Sequence, residues 1–160
     1  MTIQPGDKIP SVTLKHLTQD GMAEITTDEI FAGRKIVMFA VPGAFTPTCS
    51  ARHLPGYLDR LDDFKAKGVD EVVCMAVNDP FVMKAWGEKT EVNGAIRLLP
   101  DGNGDLTRKL GLEMDGAAHG LGKRVKRFAL VAEDGKVTKV AVEDGPGVTV
   151  SGADAILESL

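Results

Sequence analysis

Cys49 lies in the stretch Val41-Pro42-Gly43-Ala44-Phe45-Thr46-Pro47-Thr48-Cys49-Ser50, whose residue types and spacing describe a thiol at the start of a helix. Thr46 is a favoured helix cap and Pro47 suits the first helical position. On that count Cys49 is the third helical residue, with its sulfur near backbone N–H groups that have no partner inside the helix. The thiolate is the nucleophilic form of cysteine, and a helix N-terminus or a nearby cation lowers its pKa from ~8.5 into the range ~3.5–7.5. The helix dipole supplies at most ~2 kcal/mol, which is about one and a half pKa units. A larger shift needs a cation.

Ionisation alone gains only about thirtyfold, because an ordinary thiol is already a few per cent thiolate at pH 7. The remaining acceleration must come from donors aimed at the charge that moves from sulfur to a leaving group. Thr46, three residues back, offers a hydroxyl, and an arginine would offer a fork of N–H donors. Arg52 and His53 follow at i+3 and i+4 and can reach the same helix face; the expectation is a solvated or paired Arg52 and a packed or hydrogen-bonded His53. The second thiol, Cys74, sits among Val72, Val73, Met75 and Val77 and reads as buried structure. Cys49 and Cys74 form no CxxC pair, and His16 and His119 lack partners at metal-ligand spacing, so no metal is assigned.

The elements that must carry the thiol follow from periodicity. Lys35 to Val41 is an apolar strand ended by Pro42-Gly43. From Pro47, Leu54, Tyr57, Leu58, Leu61 and Phe64 recur at helical steps until Gly68, which predicts one helix carrying Cys49. Glu71–Val77 is a buried strand. Asn78-Asp79-Pro80 caps a second helix whose apolar side is Phe81, Val82, Ala85 and Trp86, and Ile96–Pro100 is a third strand. Thr107 to Leu110 is helical and leads into a loop holding Gly116, Gly120 and Gly122. Before this core, residues 11–14 and 23–25 flank a turn and suggest a hairpin, and Thr26 to Glu29 has capping-box spacing. After it, 127–131 and 137–142 flank Asp134-Gly135, a hairpin signal, and a Ser151-to-Asp154 pair opens a last helix. The order predicts an α/β sheet with a βαβ core and an antiparallel half.

A length of 160 residues fits one domain, residues 1–160, able to bury a core without disulfides. The net charge of −4 argues against nucleic acid or an anionic membrane as the main partner. The basic run Lys123-Arg124-Val125-Lys126-Arg127 is therefore read as something other than a nucleic-acid patch. The glycines at 116, 120 and 122 lack the placement of a phosphate loop after a strand. No apolar run approaches the ~20 residues of a membrane helix, and residues 1–10 carry no secretory pattern, so the expected compartment is cytoplasmic.

Pro42, Thr46 and Cys49 match the Pro-x-x-x-Thr-x-x-Cys motif of the peroxiredoxins, and the chain resembles their type II subgroup of plants and bacteria. The resemblance continues through His53-Leu54-Pro55-Gly56, Val77 to Trp86, Leu121-Gly122-Lys123-Arg124 and Lys126 to Leu130. It implies a thioredoxin-like fold: a central mixed β-sheet flanked by helices, with an N-terminal β-hairpin extension. It also implies a thiol-dependent peroxidase acting on hydrogen peroxide and organic hydroperoxides. Cys49 would attack the peroxide and become a sulfenic acid. Arg127 would hold thiolate and peroxide together, Thr46 would hydrogen-bond the peroxide, and Pro42 would shield the sulfur. No cofactor is implied. The chain departs from some relatives at Gly147-Val148-Thr149-Val150-Ser151, where valine replaces a resolving cysteine. The expected reductant is therefore external, either glutathione with glutaredoxin or thioredoxin, with Cys74 not obligatory. The resemblance also puts Phe45 and Phe81 near a contact between copies of a homodimer. A thioredoxin-like disulfide carrier is disfavoured, because Thr46 stands where the first cysteine of a CxxC pair would be.

Overall fold

The computed structural model describes residues 1–92 and 94–160. A hairpin of β1 (Thr13–Thr18) and β2 (Gly21–Thr26) precedes the short helix α1 (Thr27–Phe31) and the strand β3 (Lys35–Ala40). Helices α2 (Leu54–Asp59) and α3 (Leu61–Ala66) connect β3 to β4 (Glu71–Ala76), and α4 (Pro80–Thr90) connects β4 to β5 (Arg97–Pro100). There follow α5 (Asp105–Leu110), a small hairpin of β6 (Glu113–Asp115) and β7 (Lys123–Val125), the strands β8 (Phe128–Glu133) and β9 (Lys136–Val142), and α6 (Ala153–Glu158). The five-stranded sheet has the order β5-β4-β3-β8-β9. β3, β4 and β5 are parallel, while β8 runs antiparallel to both β3 and β9. This is the expected mixed sheet, with its βαβ core and antiparallel half.

Strand alternation divides the core into two layers. Ile36, Met38, Ala40, Val73, Met75, Phe128 and Leu130 face α1, α5 and the first hairpin. Val37, Phe39, Cys74, Ala76, Ala129 and Val131 face the other way, onto Leu54, Tyr57, Phe64, Met83, Trp86 and Ile156. β3 is thus buried on both sides, which accounts for its continuous apolar sequence. Cys49 belongs to the second layer, as does Cys74.

Several turn and cap signals hold. Thr26 accepts the Glu29 N–H at 3.1 Å, and Asp79 accepts the Val82 N–H at 2.8 Å ahead of Pro80. Asp134 and Gly135 both have positive φ, 50° and 76°, as the tight β8–β9 turn requires.

Other expectations are corrected. The helix read from Pro47 to Gly68 is not continuous. It has a π turn over Cys49–His53, closed by the Leu54 N–H donating to the Cys49 carbonyl, and a break at Arg60 with φ −111° and ψ 11°. Pro55 supplies the reason for the first irregularity, since it has no N–H and its ring would clash with the carbonyl four residues earlier. On α4 the buried residues are Met83, Trp86 and Gly87, whereas Phe81 and Ala85 are exposed. Ser151 does not cap α6: Gly152 occupies that position and the Ser151 hydroxyl bonds Glu143 instead. The glycine-rich stretch after α5 is partly the β6–β7 hairpin.

Candidate active site

Pro42-Gly43 ends β3, and the chain turns through Phe45, whose φ is +65°, before entering the helix at Pro47. The turn is held from outside. The Asn78 side chain accepts the Ala44 N–H at 2.9 Å, and Arg124 Nη1 donates to the Pro42 carbonyl at 3.2 Å. Cys49 is the third helical residue, as the spacing predicts, but the Thr46 side chain does not cap the helix. Its hydroxyl donates to the Gly43 carbonyl at 2.6 Å. With its one proton committed there, the Thr46 oxygen is left with lone pairs to accept a bond from a ligand.

Arg127 comes from the residue before β8 and crosses 78 positions of sequence to reach the thiol, with Nη2 3.1 Å from Cys49 Sγ. Both groups are buried, Cys49 at 0% exposure and Arg127 at 8%. Nη1 of the same guanidinium lies 2.7 Å from His53 Nδ1. A guanidinium only donates, so Nδ1 must be the acceptor and His53 the neutral Nε2–H tautomer. Its Nε2–H then donates to the Ser151 carbonyl at 2.9 Å, where the Tyr57 hydroxyl also donates at 2.7 Å. The His53 ring is packed by Phe39 at a centroid distance of 4.7 Å, and Phe39 in turn stacks on Tyr57 at 4.0 Å. Contacts of this kind contribute ~0.5–1.5 kcal/mol each beyond area burial, and here they fix the plane of the imidazole.

The electrostatics agree with that geometry. Burial, helped by the Arg127 charge and opposed by the Ser151 carbonyl and Glu143, pushes the His53 pKa down to about 4. Burial pushes the Cys74 thiol well above its ordinary value, with Cys49 adding to the rise and Arg127 opposing it. Both cysteines are free thiols. Among the described residues no group of three or more His, Cys, Asp or Glu side chains is placed to hold a metal.

A cleft of about 750 Å³ is lined by Pro42, Thr46 and Arg127, the last in contact with the thiol, together with apolar Met114, Leu121 and Val142 and charged Lys126, Glu143 and Asp144; Cys49 itself is buried behind this wall. The structure therefore brings together all four residues singled out from sequence: Cys49 and Arg127 in contact, Thr46 and Pro42 on the wall of the cleft. A buried thiol beside a guanidinium fork that also lines a cleft is equipped to attack an electrophile whose leaving group gains negative charge. His53 was visible in the sequence by its i+4 spacing, but its contact with Arg127 was not. Tyr57, Ser151, Glu143 and Arg124 were missed, because nothing local signals contacts such as the 98-residue separation between His53 and Ser151.

Comparison with known proteins gives the site its family. The Redoxin family matches residues 4–157. Peroxiredoxin-2B of Arabidopsis thaliana is 46% identical over 159 residues, covering 99% of this chain and 98% of the relative. The crystal structure of reduced Prx3 in complex with hydrogen peroxide from Vibrio vulnificus superposes with a TM-score of 0.94 at 48% identity, covering 99% of each chain. A Burkholderia cenocepacia structure provisionally described as a thioredoxin reductase has a TM-score of 0.96 at 40% identity, covering 100% of this chain and 99% of that one. The chain belongs to the peroxiredoxins, the thiol peroxidases of thioredoxin-like fold. It is an antioxidant enzyme that reduces peroxides at the expense of thiols.

Proposed function

We propose that Cys49 is the peroxidatic nucleophile, acting on hydrogen peroxide and organic hydroperoxides, and that an external thiol restores it. The observation that carries this reading is the Arg127 Nη2 to Cys49 Sγ contact of 3.1 Å in a buried site. The thiolate attacks one peroxide oxygen: an S–O bond forms, the O–O bond breaks, and the departing hydroxide or alkoxide takes a proton to leave as water or alcohol. Charge moves from sulfur to the leaving oxygen, and Arg127, with Nη2 on the sulfur and Nη1 anchored by His53, brings its remaining N–H donors to that displacement. The Thr46 hydroxyl, already donating to Gly43, accepts the peroxide O–H, and Pro42 keeps water from the sulfur. The Met114 and Leu121 side of the cleft gives an alkyl group an apolar wall.

Cys49 becomes a sulfenic acid. Reduction consumes two thiols, one attacking the sulfenic sulfur with loss of water and the second cleaving the mixed disulfide to regenerate the thiol. Cys74 is fully buried on β4 and its thiol is held protonated, so it is a poor candidate for the first attack. Glutathione with glutaredoxin, or thioredoxin, fills that role in the cytoplasm. Because the Cys49 sulfur has no exposed surface, a thiol protein reaches it only after the helix start opens locally. Phe45 and Phe81 are 52% and 64% exposed. The bond between Asn78 and Ala44 joins the segments that carry them, and these two exposed aromatic side chains suit a contact with a second copy in a homodimer.

Steady-state peroxide consumption with separately supplied glutaredoxin and thioredoxin systems tests the cycle, with capture of the sulfenic acid by dimedone when no thiol is present. Turnover with at least one system and a dimedone adduct on Cys49 are expected. Turnover that persists in Cys49→Ser would sink the assignment.

A further inference from the structure

Glu143 follows β9 and is joined to the site from two directions. Its backbone N–H donates to the Arg127 carbonyl at 3.0 Å. Its carboxylate takes four donors from the segment before α6: the Thr149 N–H at 2.9 Å, the Thr149 hydroxyl at 2.8 Å, the Ser151 N–H at 2.8 Å and the Ser151 hydroxyl at 2.5 Å. The intervening Asp144-Gly145-Pro146-Gly147-Val148 has no regular structure and lacks a ladder of its own to hold it. The placement of residues 149–151 thus depends on what Glu143 holds. Ser151 is itself fully buried, and its carbonyl is the acceptor for His53 Nε2–H and for Tyr57. From Glu143 a chain of short hydrogen bonds runs through Ser151, His53 and Arg127 to the sulfur.

We propose that Glu143 is a positioning residue for peroxide reduction: by clamping residues 149–151 it fixes the Ser151 carbonyl, which orients His53 and through it the Arg127 fork at Cys49. The proposal rests on the roles given to Cys49 and Arg127 above. Its charge suits the task. Burial works against ionisation of the carboxyl, but the bonds from Ser151 and Thr149 outweigh it and hold its pKa at about 2. Carboxylate acceptors make the stronger class of hydrogen bond. Without the carboxylate, four donors lose their acceptor, the 144–150 loop relaxes, and the Ser151 carbonyl no longer anchors His53 Nε2–H, so the ring can slide within its aromatic packing away from Nη1. A guanidinium released by an ångström no longer meets the leaving oxygen, a displacement that costs up to about a hundredfold in rate.

The test compares two single-turnover rates on Cys49 in the full-length protein, one with hydrogen peroxide and one with iodoacetamide. Alkylation needs the thiolate but no donor fork on a leaving oxygen. For Glu143→Ala the peroxide rate is expected to fall by about tenfold to a hundredfold, with alkylation changed by less than about threefold. Glu143→Gln, which keeps the shape and one acceptor oxygen, should recover part of the loss. A purely structural role predicts a lower Tm with an unchanged ratio of the two rates, and that result overturns the proposal. If Glu143→Ala does not fold, Glu143→Gln decides by the same ratio: a lowered ratio supports the clamp and an unchanged one rejects it. Wild-type protein whose peroxide rate is no greater than a free thiol's would overturn the parent assignment together with this one.

Discussion

Replacing Arg127 with alanine removes two bonds at once, the 3.1 Å contact to Cys49 Sγ and the 2.7 Å contact to His53 Nδ1. The first loss acts on the reaction. Removing one well-placed donor to developing charge costs about 100- to 1000-fold, which at 1.36 kcal/mol per decade is ~2.7–4 kcal/mol of transition-state stabilisation. The second loss acts on the fold, because a buried imidazole acceptor without a partner costs ~1–3 kcal/mol. Arg127→Lys separates the two. An ammonium keeps the charge but, as a single point donor, cannot bridge both sulfur and imidazole, so its rate should fall between wild type and alanine. Trp86 offers an internal reporter for stopped-flow fluorescence, since its indole N–H donates to the Ser50 hydroxyl, next to Cys49, at 2.9 Å. The second-order rate constant with hydrogen peroxide is the quantity to compare. Arg127→Ala reacting within about threefold of wild type would rule out Arg127 as the donor to developing charge, because such a contact is worth at least a decade.

Three further outcomes follow from the same structure. His53 is held neutral with its pKa at about 4 against an ordinary value of 6.5. Between those values the unfolded chain binds the extra proton, so stability is complete above about pH 6.5 and falls by roughly 3 kcal/mol as pH drops toward 4; in urea titrations across that range His53→Gln should flatten the dependence, and an unchanged slope would count against the neutral tautomer. Cys74→Ser should retain turnover with an external thiol system while losing ~1–3 kcal/mol of stability, as a hydroxyl replaces a thiol in an apolar layer; loss of turnover with every thiol donor would return Cys74 to the cycle. Phe81→Asp should lower the apparent mass in sedimentation at micromolar concentration without affecting single-turnover oxidation of Cys49, and wild type sedimenting as a monomer at every concentration would remove the dimer from the account.

Most of the sheet was legible because its strands are short apolar runs bounded by turn residues, and because both faces of β3 are buried. The helix that carries Cys49 was legible as apolar period, but its π turn was not: the apolar spacing continues past Pro55, and only the missing N–H of that proline hints at the extra residue. Thr46 and Ser151 suit helix caps by residue type, yet their hydroxyls bond Gly43 and Glu143, residues that precede them outside the helix. Local propensity cannot show such competition, since the winning acceptor is supplied by tertiary structure. Phe81 fits an apolar helix face by type and is exposed in fact. Of the site itself, the thiol and threonine were readable from spacing, and Arg127 and Pro42 from the resemblance. The layer behind Arg127, built from His53, Tyr57, Ser151 and Glu143, depends on contacts spanning 74 to 98 residues and a separate eight-residue clamp.

The most direct measurement is the site and rate of oxygen transfer in a single turnover. Reduced protein is mixed with one equivalent of hydrogen peroxide, quenched with dimedone and mapped by peptide mass. The adduct is expected on Cys49 and not on Cys74, at a rate exceeding that of a free thiol by roughly a thousandfold or more. Oxidation spread over both cysteines, or a Cys49 rate matching that of a free thiol at the same pH, would contradict the role given to Cys49.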